Sequence, residues 1–175
     1  DPDGVLQDEF LNSRGAIARF GRGSIEIRVI DIQECPSADL AVLQATVAVL
    51  KALCAEQWSD IAAQQAMDVE PLYGILSAAI CDADQAMINN ADYLAVFGYS
   101  GTQCTVRQLW QHLMQQTAPA MNHKDAAALD VILSQGPLAR RVVDRLQQRG
   151  DDRASLALIY ADLCDALQSG VMFSV

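Results

Sequence analysis

Histidine occurs at two places in this sequence, His112 and His123. Neither has a second histidine, a cysteine or a carboxylate at ligand spacing, so no zinc-type centre is expected, and each reads as a helix-surface or core residue. The five cysteines (Cys35, Cys54, Cys81, Cys104, Cys164) are odd in number and widely spaced, with no CxxC. That usage argues against a disulfide framework and suits reduced thiols in a cytoplasmic protein. Cys35 follows a charged strand, but no histidine lies near it in sequence to act as a base. Also missing are GxGxxG, GxxxxGK[ST] and GxSxG, the signatures of dinucleotide sites, P-loops and nucleophile elbows. No apolar run reaches the roughly 18 residues of a membrane span, because Asp39, Gln44 and Lys51 interrupt the stretch from Ala38 to Leu53. Basic residues are scarce as well: 12 Lys and Arg face 22 Asp and Glu, giving a formal charge of −10. Nucleic acid and anionic membrane surfaces are therefore not expected partners.

Against that scarcity, four of the 12 cations (Arg14, Arg19, Arg22, Arg28) fall between Asn12 and Asp31, around one acid, Glu26. Residues 24 to 31 read as a strand, being β-branched and alternating with period two. Gly15 to Phe20 reads as its partner, with Gly21-Arg22-Gly23 as the turn. A two-residue Gly21-Arg22 loop sets Arg19 opposite Ser24 and Ile17 opposite Glu26, placing Arg19, Glu26 and Arg28 on one face. A three-residue loop would turn Arg19 away. Such a face has two uses. Glu26 can ligate a hard cation while the arginines hold phosphate or carboxylate oxygens, or the hairpin is a solvated face laced with ion pairs of about 0.2 to 1 kcal/mol each.

The run N-S-R-G-A-I-A-R-F, then S-I-E-I-R-V-I-D, then a helix opening A-D-L-A, resembles the catalytic strands of the glutamine synthetase and glutamate-cysteine ligase superfamily, and within it the bacterial carboxylate-amine ligases of the second glutamate-cysteine ligase type. The close likeness covers roughly residues 10 to 55. It implies Glu26 as an Mg²⁺ ligand, Arg28 as the contact to substrate or transferring phosphoryl group, Arg19 beside it, and Arg14, Arg19 and Arg22 toward the ATP phosphates. Two departures stand out: Asn-Ser-Arg replaces Asn-Arg-Ser, putting Arg14 one residue out of step, and Ser24 stands where an arginine is common. The implied activity is ATP-dependent amide formation through an acyl phosphate on a glutamate-type acid, with an amine such as cysteine as acceptor. One carboxylate cannot hold the metal ions such chemistry uses. The chain is thus expected to be the C-terminal part of a larger enzyme, inactive alone and completed by a missing N-terminal part, with homo-oligomerisation left open. The rival expectation is a non-catalytic helical interaction or scaffold domain whose hairpin joins a partner's sheet.

The expected fold is α+β and mostly helical: an N-terminal arm over 1–14 with a helical turn from Val5 to Leu11, the hairpin over 15–31, and six to seven helices over 38–170. Ser37 is the expected cap of a first helix whose core stripe is Leu40, Leu43, Val47, Leu50 and Cys54. Further helices are expected from Ser59 to Met67, from Asp68 to Met87, as one turn near Tyr93, and from Thr105 to Gln116. Others follow from Lys124 to Gln135 and Pro137 to Arg149, and a last one is capped by Asp151 or Asp152, ahead of a docked tail at Val171–Val175. The run Arg140, Arg141, Arg145, Arg149, Arg153 reads as a solvated, ion-paired face.

Overall fold

The computed structural model describes residues 15–119 and 121–175, so the arm, its helical turn and Arg14 lie outside the described residues. The order is β1 (Ala16–Arg19), β2 (Ser24–Ile27), α1 (Pro36–Cys54), α2 (Ile61–Gln65), α3 (Val69–Asp82), β3 (Met87–Ile88), α4 (Ala91–Val96), β4 (Cys104–Thr105), α5 (Val106–Thr117), α6 (His123–Gln135), α7 (Leu138–Arg149) and α8 (Arg153–Ser169). This is the mostly helical α+β class that the sequence predicts. The β1–β2 hairpin belongs to one compact unit, ending at Ile32, and residues 33–175 form a second.

Several helix boundaries follow from local chemistry. Asp60 caps α2 and Asp152 caps α8, each accepting a backbone N–H three residues on. Asn90 caps α4, and Thr105 with Gln108 forms a reciprocal capping box at α5. Gly136 closes α6 at a φ of 93°, where a side chain would be strained. Other boundaries depart from the expected ones. Cys35, not Ser37, is the N-cap of α1, because Pro36 takes the first helical position where its missing N–H costs nothing. Helix α3 stops at Asp82 rather than Met87. Ala83 turns to positive φ, and Met87–Ile88 instead pairs with Cys104–Thr105 in a two-residue ladder too short to carry a periodic signal.

The larger surprise is which face of α1 is inside. Ala38, Ala41, Ala45, Val49 and Ala52 are buried, whereas Leu40, Leu43, Val47, Leu50 and Cys54 are exposed, so the expected core stripe is the outer one. Small residues let α1 pack closely on α6, its most extensive partner. Across that contact Gln44 donates to Asp125 at 2.7 Å, and Asn122 donates to the same carboxylate at 2.8 Å. By length and mean hydropathy α1 reaches what a membrane span requires, in spite of Asp39, Gln44 and Lys51.

The arginines of α7 also depart from a solvated face. Arg141 is fully buried, donating to Glu34 at 2.5 Å, to the Gly136 carbonyl at 3.0 Å and to the Phe173 carbonyl. Arg145 donates to the Ser174 carbonyl and lies over the Phe173 ring, and Gln135 accepts from the Val175 amide. The tail is thus clasped, and Phe173 packs with Ile159 and Ala166. Removing one member of a buried ion pair strands the other charge. Arg141→Ala is therefore expected to lower stability in urea titration by about 3–5 kcal/mol, and Glu34→Leu/Arg141→Met to recover most of that loss.

Candidate active site on the charged hairpin

Antiparallel pairing sets Ala16 opposite Ile27, Ile17 opposite Glu26, Ala18 opposite Ile25 and Arg19 opposite Ser24. This is the register that the two-residue loop predicts. The Gly23 amide donates to the Phe20 carbonyl at 3.2 Å, and Gly23 takes a φ of 58° that any Cβ would oppose. The Arg28 amide donates to the Gly15 carbonyl at 2.8 Å, extending the pairing beyond β2.

With the register fixed, side-chain alternation decides the faces. Ile17, Arg19, Ser24, Glu26 and Arg28 share one. Ala16, Ala18, Ile25 and Ile27 share the other, where Ile25 and Ile27 are exposed. Glu26 is the hub of the charged face. Its Oε2 accepts from Arg19 Nε and its Oε1 from Arg28 Nε, both at 2.7 Å, and all three side chains remain partly solvent-accessible. The guanidinium of Arg19, then that of Arg28, holds the Glu26 carboxyl below its ordinary value of 4.5. Three of the expected site residues are therefore together. Arg22 lies at the end of the turn, exposed, outside the ion pairs of Glu26.

The fit to Mg²⁺ is incomplete. A single carboxylate supplies at most two of the six oxygens the ion prefers, and both already accept from guanidiniums. No cluster of three His, Cys, Asp or Glu residues exists among the described residues. Two guanidiniums flank this one carboxylate, and guanidinium is the side-chain group that takes phosphate or carboxylate oxygens bidentately.

Sequence reasoning missed a second carboxylate between two arginines. Asp84 accepts from Arg107 Nε at 2.8 Å, again from Arg107 Nη2, and from Arg140 Nε at 3.1 Å. Its partners stand 23 and 56 residues away, so no local pattern announces it. It is buried where Glu26 is open, and it joins the turn after α3 to α5 and α7. His112 is half-buried on α5, contacts the Phe97 carbonyl at 3.0 Å and meets Tyr99 edge-on. Cys35 is fully buried, with its Sγ 3.7 Å from Met172 Sδ.

No family model matches the chain, and no solved structure matches it. Among curated proteins, an uncharacterized protein of Archaeoglobus fulgidus is 44% identical over 57 residues, which make up 33% of this chain and 16% of that protein. The matched stretch is thus a small part of the relative's length.

The pairing of Glu26 has a pH signature. Its carboxyl titrates lower when folded than unfolded, so its contribution to the hairpin is complete above pH 4.5 and disappears as pH falls through the lowered value. Carboxyl-carbon NMR should place the Glu26 midpoint below 4.5, and Arg19→Gln should move it upward.

Proposed function

We propose that this chain is the C-terminal part of an ATP-dependent carboxylate-amine ligase of the glutamate-cysteine ligase kind, with the hairpin face as its anion-handling edge. The observation that carries the reading is the convergence of Arg19 and Arg28 on Glu26, on the strands and in the register where the sequence resembles the ligase motif.

In this reading a γ-carboxylate oxygen of a glutamate-type acid attacks the γ-phosphorus of ATP, and ADP leaves. The amine nitrogen then attacks the acyl carbon and phosphate leaves, with loss of a proton from nitrogen. The transferring phosphoryl group gives the protein little covalent work, so positioning and charge compensation dominate. Arg28 neutralises charge on the transferred group, and Arg19 assists from the neighbouring strand. Glu26 fixes the direction of both guanidiniums, so neither has to be ordered as the reaction proceeds. Magnesium, when bound, supplies further charge neutralisation at the phosphates, and Glu26 is the residue of this chain that would contribute to holding it.

A second reading, a non-catalytic scaffold whose hairpin joins a larger sheet, draws on the uncharged side of the hairpin. Phe20 at its tip is 90% exposed and Ile25 66%. A two-stranded ribbon with bare apolar residues is marginal alone, and both readings give it neighbouring strands.

The test uses the full-length protein with ATP, Mg²⁺, glutamate and cysteine, reading ADP and amide together. Arg28→Ala should lower kcat on the order of 10²-fold or more, and Glu26→Ala should act in the same direction. The 175-residue chain alone should show no turnover. Amide formation unaffected by either substitution would remove the hairpin from the site, and no ADP release with any amino-acid and amine pair would leave the scaffold reading.

A further inference from the structure

Helix α1 exposes Pro36, Leu40, Leu43, Val47, Leu50 and Cys54 in one line. Successive members are four, three, four, three and four residues apart, which is the 3.5-residue repeat of a coiled-coil seam rather than the wider face a helix turns to a globular core. The four central side chains keep 45%, 56%, 37% and 40% of their surface in solvent. The line also reads the same in both directions about Ala45: Pro36 corresponds to Cys54, Leu40 to Leu50 and Leu43 to Val47. A seam with that symmetry is complementary to itself when two helices run antiparallel, because each layer then repeats across a two-fold axis.

Two other helices expose apolar lines, Val69, Tyr73, Leu76 and Ile80 on α3, and Leu156, Tyr160 and Leu167 on α8. Charge separates them from α1. Helix α3 is bordered by Asp68, Glu70 and Asp82 with no base, and α8 carries Asp162 and Asp165 against Arg153. Pairing either with itself gathers like charge in a protein already at −10. Helix α1 carries one acid, Asp39, and one base, Lys51. Antiparallel pairing also sets its macrodipole against that of its partner.

We propose that the exposed line Leu40, Leu43, Val47, Leu50 on α1 is a docking face for α1 of a second copy of this chain, packed antiparallel about a two-fold axis near Ala45. Four side chains of this size bury less than the roughly 800 Å² per partner of a standard interface, so the association is weak and concentration-dependent. It stands independently of the ligase reading.

The cysteines of α1 report the direction of pairing. Parallel helices would set the two Cys54 residues side by side, whereas antiparallel ones hold them about 27 Å apart, from 18 residues at 1.5 Å each. Sedimentation velocity from low to several hundred micromolar should show a monomer–dimer equilibrium. Leu43→Glu should weaken it at least about tenfold, and Ile80→Glu on α3 should leave it unchanged. Circular dichroism checks that each variant is folded. In a Cys81→Ser/Cys164→Ser background, mild oxidation should leave the chain uncrosslinked, and adding Pro36→Cys should yield a covalent dimer through Cys54 of the second copy. The cross-link reads the same interface without placing a charge in it. A wild-type chain that stays monomeric throughout, a dimer untouched by Leu43→Glu, or a Cys54 to Cys54 cross-link would each overturn the proposal. So would binding to neutral phosphatidylcholine vesicles in place of dimerisation.

Discussion

The helical unit depends on a guanidinium with no water around it. An isolated buried cation costs several kcal/mol, so Arg141 is tolerable only while its protein partners are in place. Two of those partners come from distant parts of the chain, Glu34 ahead of α1 and Phe173 in the tail, and the third is Gly136 just ahead of α7. The neighbouring Arg140 reaches a different carboxylate, Asp84, and the Asp82 carbonyl at the end of α3. Two consecutive residues of α7 thereby fix four other segments. Geometry is imposed here by directional bonds as much as by the hydrophobic effect.

The apolar interior around these bonds falls into three clusters. One cluster is built on Ala38, Ala41 and Ala128 and another on Val49, Ile88, Leu94, Leu109 and Leu113, while other leucines and isoleucines, such as Leu43 and Ile80, are in solvent. With about 25 cal/mol gained per Å² of apolar area buried, each exposed leucine is stabilisation forgone. A chain that is 51% hydrophobic thus leaves apolar lines bare on α1, α3 and α8.

Some of this could be read from residues alone, and the reason is locality. The hairpin register follows from alternation plus a glycine turn. Thr105, Asp152 and Gly136 mark helix ends through bonds to residues three or four away. The grouping of Arg19, Glu26 and Arg28 follows from that register. Which stripe of α1 faces inward was not legible, because alanine and leucine stripes both repeat at helical spacing and the choice is made by α6, more than 60 residues downstream. Arg141 was misread for the same reason: i, i+4 spacing describes a helix face, but Glu34, 107 residues earlier, decides whether that face is dry. Asp84, which found its arginines only after folding, was invisible.

The clasped tail also sets an order of events during synthesis. Phe173 belongs to one of the core clusters, and its carbonyl accepts from Arg141. Helices α1 through α8 therefore leave the ribosome before their assembly can close. Through that interval the bare leucines of α1 and the uncompensated charges of Glu34 and Arg141 coexist in an open chain. Until Phe173 is in place, that cluster and the Arg141 contact it supplies are both missing.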